Sequence, residues 1–171
     1  AFQQTFVQLE INFDPAVIDP EGKRDPDVLA RANYQRLVRD ALRGLFPEVT
    51  SRSDRRSLDD TVSSVAQFEL MNMVLDDPSI IGTTRKVWLT ASDDFDMAFK
   101  GSVPLDVPQD ERRFSDKQIT WMDMLKSQGL LEKQFNSRFF TAGDSREPEQ
   151  AGILSALVGS MLSLFVCFIL S

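Results

Sequence analysis

The feature that most constrains this chain is a change of solvent within it. All 26 acidic and 19 basic residues, net charge -7, lie in residues 1–150, whereas the last 21, AGILSALVGSMLSLFVCFILS, carry no charge. Fifteen of those 21 are Ala, Val, Ile, Leu, Met, Phe or Cys. As a helix rising about 1.5 Å per residue the run reaches roughly 31 Å, close to the roughly 30 Å of a bilayer's hydrocarbon layer. Large apolar side chains favour insertion, and no charge opposes it. A helix buried in a water-soluble core seldom runs so long with nothing more polar than serine. A secretory signal is excluded by position and by the absence of a basic flank. The expectation is a water-facing domain over 1–150, then a transmembrane helix beginning at 151–171, with the 171 residues an excerpt of a longer protein. Inside the apolar run Ser155, Gly159 and Ser163 recur every four residues, a small-residue stripe suited to close packing against another membrane helix. The preceding flank, TAGDSREPEQ, holds one base and three acids, so nothing in it asks for the cytoplasmic side. Residues 1–150 are therefore expected outside the cytoplasm.

Composition removes several chemistries from the charged part. The chain has no histidine, which excludes imidazole bases, Ser-His-Asp triads and histidine metal ligands. Its single cysteine, Cys167 in the apolar run, leaves neither a disulfide nor a thiolate cluster. An acidic domain repels a phosphate backbone, so nucleic-acid binding is not expected.

Periodicity outlines the domain. Thr5 to Phe13 alternates, with Val7, Leu9, Ile11 and Phe13 on one side and Gln8, Glu10 and Asn12 on the other, as in a half-buried strand. Asp25-Pro26 reads as a helix start, followed by apolar positions at helical spacing until Gly44 and Pro47. A second helical stretch runs from near Ser53 or Ser57 to Leu75, with Ser63-Ser64 a place where it could break. Arg85 to Thr90 reads as a strand, Asp93 as the cap of a short helix ending at Gly101, and Pro104 and Pro108 as loop. Ser115 to Gln118 is a capping box for a helix ending at Gly129. Glu132 to Thr141, with Phe135 and Phe139, reads as a third strand. This order predicts an α+β domain, a sheet of about three strands covered by helices, with the membrane helix after it. Strand order and direction are not legible.

Most reactive-looking groups dissolve on inspection. Asp93-Asp94-Phe95-Asp96 lacks the glycine and distant glutamate of a calcium loop. Glu10, Asp14 and Asp19 are not brought together by any spacing. Gly82 to Lys86 lacks phosphate-loop spacing, and no GxGxxG or Ser-x-x-Lys occurs. No nucleophile, base and orienting group can be assembled, so no catalytic, cofactor-binding or metal-binding residue is nominated and an enzyme is not expected. What stands out is basic: residues 23–60 hold nine bases against seven acids, a net of +2 in an acidic domain. Arg36, Arg39 and Arg43 recur at three- and four-residue spacing, followed by Arg52, Arg55 and Arg56. They form a candidate face for an anion or an acidic partner, or equally an ordinary solvated helix face laced by pairs such as Arg36 with Asp40.

Particular strings carry a resemblance over essentially the whole length. Asp14 to Gly22 (DPAVIDPEG), Tyr34 to Leu42 (YQRLVRDAL), Leu45-Phe46-Pro47, and Gly143 to Glu149 (GDSREPE) leading into Ala151-Gly152-Ile153 resemble the N-terminal region of the PstA-type permease subunit of proteobacterial phosphate ABC transporters. Asp77 to Gly82, Val87-Trp88-Leu89 and Ser115 to Gln118 point the same way. The resemblance implies a periplasmic insertion between the first two transmembrane helices of an inner-membrane permease, with residues 151–171 opening the second. It implies a second permease subunit, ATPase subunits and a periplasmic phosphate-binding protein as partners. It places no phosphate-contacting and no ATPase-coupling residue on this chain. The competing expectation is a single-pass, membrane-anchored extracytoplasmic sensor or interaction domain.

Overall fold

The computed structural model describes residues 3–103, 108, 114–135 and 154–170. Three strands form one antiparallel sheet in the order β2-β1-β3: β1 is Gln3–Asn12, β2 Thr84–Thr90 and β3 Leu131–Phe135. The alternation expected for β1 is the alternation observed. Val7, Leu9, Ile11 and Phe13 are buried, while Glu10 and Asn12 are exposed. Val87 and Leu89 extend the same buried face from β2, in register with Leu9 and Val7. Helices cover that face, giving the α+β arrangement in which a sheet has one dry and one wetter side. Each large aliphatic or aromatic side chain buried in this way stabilises the fold by about 1.5–3 kcal/mol relative to exposure.

The helical layer departs from the expected elements at informative places. The single helix expected from Asp25 to Gly44 is two, α2 (Pro26–Ala30) and α3 (Tyr34–Leu45), after a one-turn α1 (Pro15–Ile18). Asn33 restarts the helix because its side chain accepts the Arg36 N–H at 3.1 Å, a capping bond that competes with continuation. The corner is held by Tyr34, whose hydroxyl donates to the Leu29 carbonyl at 2.8 Å.

The break expected at Ser63-Ser64 separates α4 (Arg52–Asp59) from α5 (Ala66–Asp76). Ser63 cannot continue a helix because its N–H is given to the Thr90 carbonyl at 3.0 Å, and Val62 bridges to Ala91 beside it. A 3₁₀ turn, Pro78–Ile80, leads into β2.

After β2, α6 (Asp93–Phe99) starts from Ser92, one residue before the expected cap. In α7 (Asp116–Ser127) both halves of the expected capping box are formed. Gly129, at φ +69°, closes α7 in a Schellman turn: Leu130 N–H reaches the Leu125 carbonyl at 2.9 Å and Gly129 N–H the Lys126 carbonyl at 3.1 Å. That turn delivers Leu130, whose carbonyl accepts the Gln8 N–H at 2.8 Å, to the edge of β1. Of the third expected strand, β3 takes the first part. Its continuation through Phe139 to Thr141, like Pro104, lies outside the described residues.

The apolar run contains α8, Leu154–Leu170. Its described large apolar side chains, from Val158 to Phe168, are all exposed. Among the described residues no helix is long and apolar enough to cross a membrane. Seventeen residues rise only about 25 Å, so α8 falls short of the expected 21-residue span. The Ser163 hydroxyl donates to the Gly159 carbonyl at 2.9 Å within the helix, and the Ser155 side chain lies outside the described residues.

Candidate functional site

The turn after α3 brings α4 alongside it, and this packing gathers arginines that the sequence separates. Arg39 and Arg43 from α3 meet Arg52, Arg55 and Arg56 from α4 around one open cleft of about 490 Å³. Asp59, Asp60 and Ser63-Ser64 complete its polar wall, while Val38, Leu42 and Ala66 supply apolar floor. Five guanidinium groups against two carboxylates leave the lining at +3. The domain around it is acidic, so the cleft concentrates positive potential in one place.

Internal pairing takes up part of this charge, Arg43 lying 3.6 Å from Asp40 on the rim. Arg39 Nε stands 3.4 Å from Asp59 Oδ2, and Arg55 Nε donates to the Val49 carbonyl at 3.1 Å. The Arg39–Asp59 pair is apposed and not hydrogen-bonded: Arg39 Nε and Asp59 Oδ1 are both buried without a hydrogen-bond partner. Burial raises the Asp59 carboxyl above its ordinary value, outweighing the opposing pull of Arg39 and Arg43. Arg52 and Arg55 lie in the first turns of α4, where positive charge opposes the helix dipole. Such a placement is unfavourable for the helix alone and suits an incoming anion, whose charge would offset both.

Of the three arginines nominated from sequence, Arg39 and Arg43 line the cleft and Arg36 does not. Arg36 pairs with Asp40 at 3.6 Å, and Asp40 also holds Arg43 at 3.6 Å. The expected i,i+4 pair therefore exists, but it forms the outer rim of α3. Sequence reasoning did not find Ser63, Ser64 and Asp59 as neighbours of the arginines. The available signal was the helical spacing of Arg52, Arg55 and Arg56 directly after Pro47.

The acidic groups do not converge. Asp14 accepts the Ala16 N–H at 2.9 Å as a helix cap. Asp19 accepts the Arg24 N–H at 2.9 Å, holding that residue at φ 51°. Glu10 is exposed on β1. Within the acidic run Asp96 is buried and accepts the Thr5 N–H at 2.8 Å, with Lys100 Nζ bridging Asp96 to the Gln3 carbonyl. This is a structural clasp between α6 and the start of β1. No group of His, Cys, Asp or Glu among the described residues is arranged to hold a metal ion.

Fold and site together define a class: a small α+β domain with a helix-covered antiparallel sheet and an arginine-lined cleft on its helical side. Residues 1–109 match the family model described as Domain of unknown function (DUF3333), well over half of the chain, and the chain belongs to that family. No curated protein and no solved structure matches it.

Proposed function

We propose that this chain is part of the membrane-spanning permease subunit of an ATP-driven phosphate importer of the bacterial inner membrane. In this reading residues 1–150 form a non-catalytic insertion on the periplasmic side. The sequence strings that resemble such permeases suggest the system. The observation that carries the reading is the union in one chain of a charged domain with α8, whose described large apolar side chains all stand exposed. An apolar surface of that extent needs lipid or partner helices to cover it. With the residues flanking it, α8 would open a transmembrane helix, and Ser155, Gly159 and Ser163 would face a neighbouring span.

The arginine cleft supplies the domain's role. It suits an acidic surface of the phosphate-binding protein or of the second permease subunit, since complementary charge raises encounter rates and fixes orientation. Energy for transport would come from the ATPase subunits, and the domain itself would perform no chemistry. The test is phosphate uptake and complex recovery from cells carrying the parent protein with Arg39, Arg43 and Arg55 changed to Glu. Loss of uptake and of co-purification with the binding protein or partner permease, with the domain still folded, is expected. Unchanged uptake and assembly would sink the docking role. A parent protein with no further membrane spans would instead favour the single-pass sensor.

A further inference from the structure

Among the described residues, half of one edge of the central strand has no pairing partner. Along β1 the odd residues bond toward β2, as the Thr5 carbonyl with Ala91 N–H and the Phe13 N–H with the Thr83 carbonyl show. Even residues bond toward β3, but that ladder ends at Val7 opposite Leu131, with the Gln8 N–H taken by the Leu130 carbonyl. Beyond it the Gln8 carbonyl, both backbone groups of Glu10 and the Asn12 N–H point outward, with no hydrogen bond from any described residue. The edge borders an open groove of about 600 Å³, whose apolar lining includes Val17, Leu37, Ala41, Leu45 and Leu130. Its charged lining is Glu10, Asp14, Asp40 and Lys86; Asp40 is held by Arg36 and Arg43, whereas neither Glu10 nor Asp14 is ion-paired among the described residues, which leaves two carboxylates against one lysine.

We propose that this groove binds an extended peptide segment of a partner protein. The segment adds a strand to the free edge of β1, sets apolar side chains toward α3 and presents a basic side chain to the acidic rim. The free backbone groups specify an extended occupant, because only a strand presents N–H and C=O groups at matching repeat. Gln8 to Asn12 spans roughly 14 Å at about 3.4 Å per residue, room for a segment of about five residues. The excess of carboxylates specifies the sign of its charge. An exposed edge of this kind is a liability unless something pairs with it. The proposal concerns a surface different from the arginine cleft and stands whether or not the permease reading holds.

The test uses the 171-residue chain in mild detergent and a labelled peptide alternating valine and threonine with one lysine. Binding is read by fluorescence anisotropy, and amide exchange at Glu10 by NMR. The expected result is saturable binding with slowed exchange at Glu10. It should weaken at least about tenfold, or roughly 1.4 kcal/mol, when the central valine is replaced by proline or the lysine by glutamate. Gly44→Arg should weaken it similarly: Gly44 lines the groove, and a Cβ there meets nothing within 4 Å, so the change fills the groove without disturbing α3. Binding that is absent, or insensitive to the proline and to Gly44→Arg, overturns the proposal. So does a Glu10 amide already slowed before peptide is added, whether by self-association or by another part of the same chain.

Discussion

Tyr34 offers a direct test of how the core is built, because it is the only tyrosine in the chain. Its ring is 3% exposed, its hydroxyl donates to the Leu29 carbonyl, and burial pushes its pKa from 10.0 up to about 12. A raised value means that the folded state holds the proton more tightly than the unfolded chain does. The stabilisation is therefore fully present below pH 10 and is lost as pH rises through about 12. A rise from 10.0 to about 12 makes that loss roughly 3 kcal/mol.

Tyr34→Phe removes the titrating group and one hydrogen bond. The Leu29 carbonyl keeps the Ala32 N–H as a donor at 3.4 Å, so the cost at neutral pH is about 1 kcal/mol. Wild type should then be the more stable protein at neutrality and the less stable one, by about 2 kcal/mol, above the phenol's raised value. Urea denaturation across this range, paired with near-ultraviolet phenolate absorbance, measures both quantities. Lysine titration is common to the two proteins and cancels in their difference. A folded-state phenolate midpoint near 10, or stability curves that run parallel, would refute the burial argument.

Two further outcomes follow from the same contacts. Asp96→Ala strands the buried Thr5 N–H and frees Lys100, and should destabilise by about 2–4 kcal/mol in chemical denaturation. Asp96→Asn, which retains an acceptor, should recover part of that loss, and a change below about 0.5 kcal/mol for the alanine variant would deny the clasp. Gly129→Ala forces an L side chain to φ +69° where a Cβ meets no atom within 4 Å, so its cost is conformational alone, about 1–2 kcal/mol. Thermal unfolding of Gly129→Asn should show a smaller loss, since asparagine tolerates that region better than alanine.

The parts of the fold set by local physics were legible. β1 could be read because a period of two is visible in Val7, Leu9, Ile11 and Phe13 without knowing what they pack against. The α7 cap could be read because Ser115 and Gln118 satisfy each other. The two-helix structure of residues 26–45 was missed because Asn33 is a weak break until Tyr34 reaches Leu29, a contact no periodicity reveals. Strand order was hidden for a related reason: the partners of β1 lie far away in sequence. The cleft was half visible. Helical spacing grouped Arg39 with Arg43 and Arg52 with Arg55 and Arg56, but only the packing of α4 on α3 merges the groups and leaves Arg36 on the rim. The open edge of β1 was invisible to sequence, since it depends on where β3 begins.

The position of β1 bears on how the chain acquires its structure. The central strand is made first, yet its neighbours are Thr84–Thr90 and Leu131–Phe135. At synthesis rates of roughly 5–20 residues per second, the seventy-odd residues between Asn12 and Thr90 take on the order of 4–15 s to appear. For that interval the strand that carries the most buried apolar residues among the described strands lacks both of its described partners. Closing the intervening loops is an entropic cost met before any ladder forms, which places the folding of this domain among slow, non-local cases. Helper proteins that shield extended apolar segments therefore have their natural target here in the first dozen residues, and the yield of folded domain should depend on them more than its final stability does.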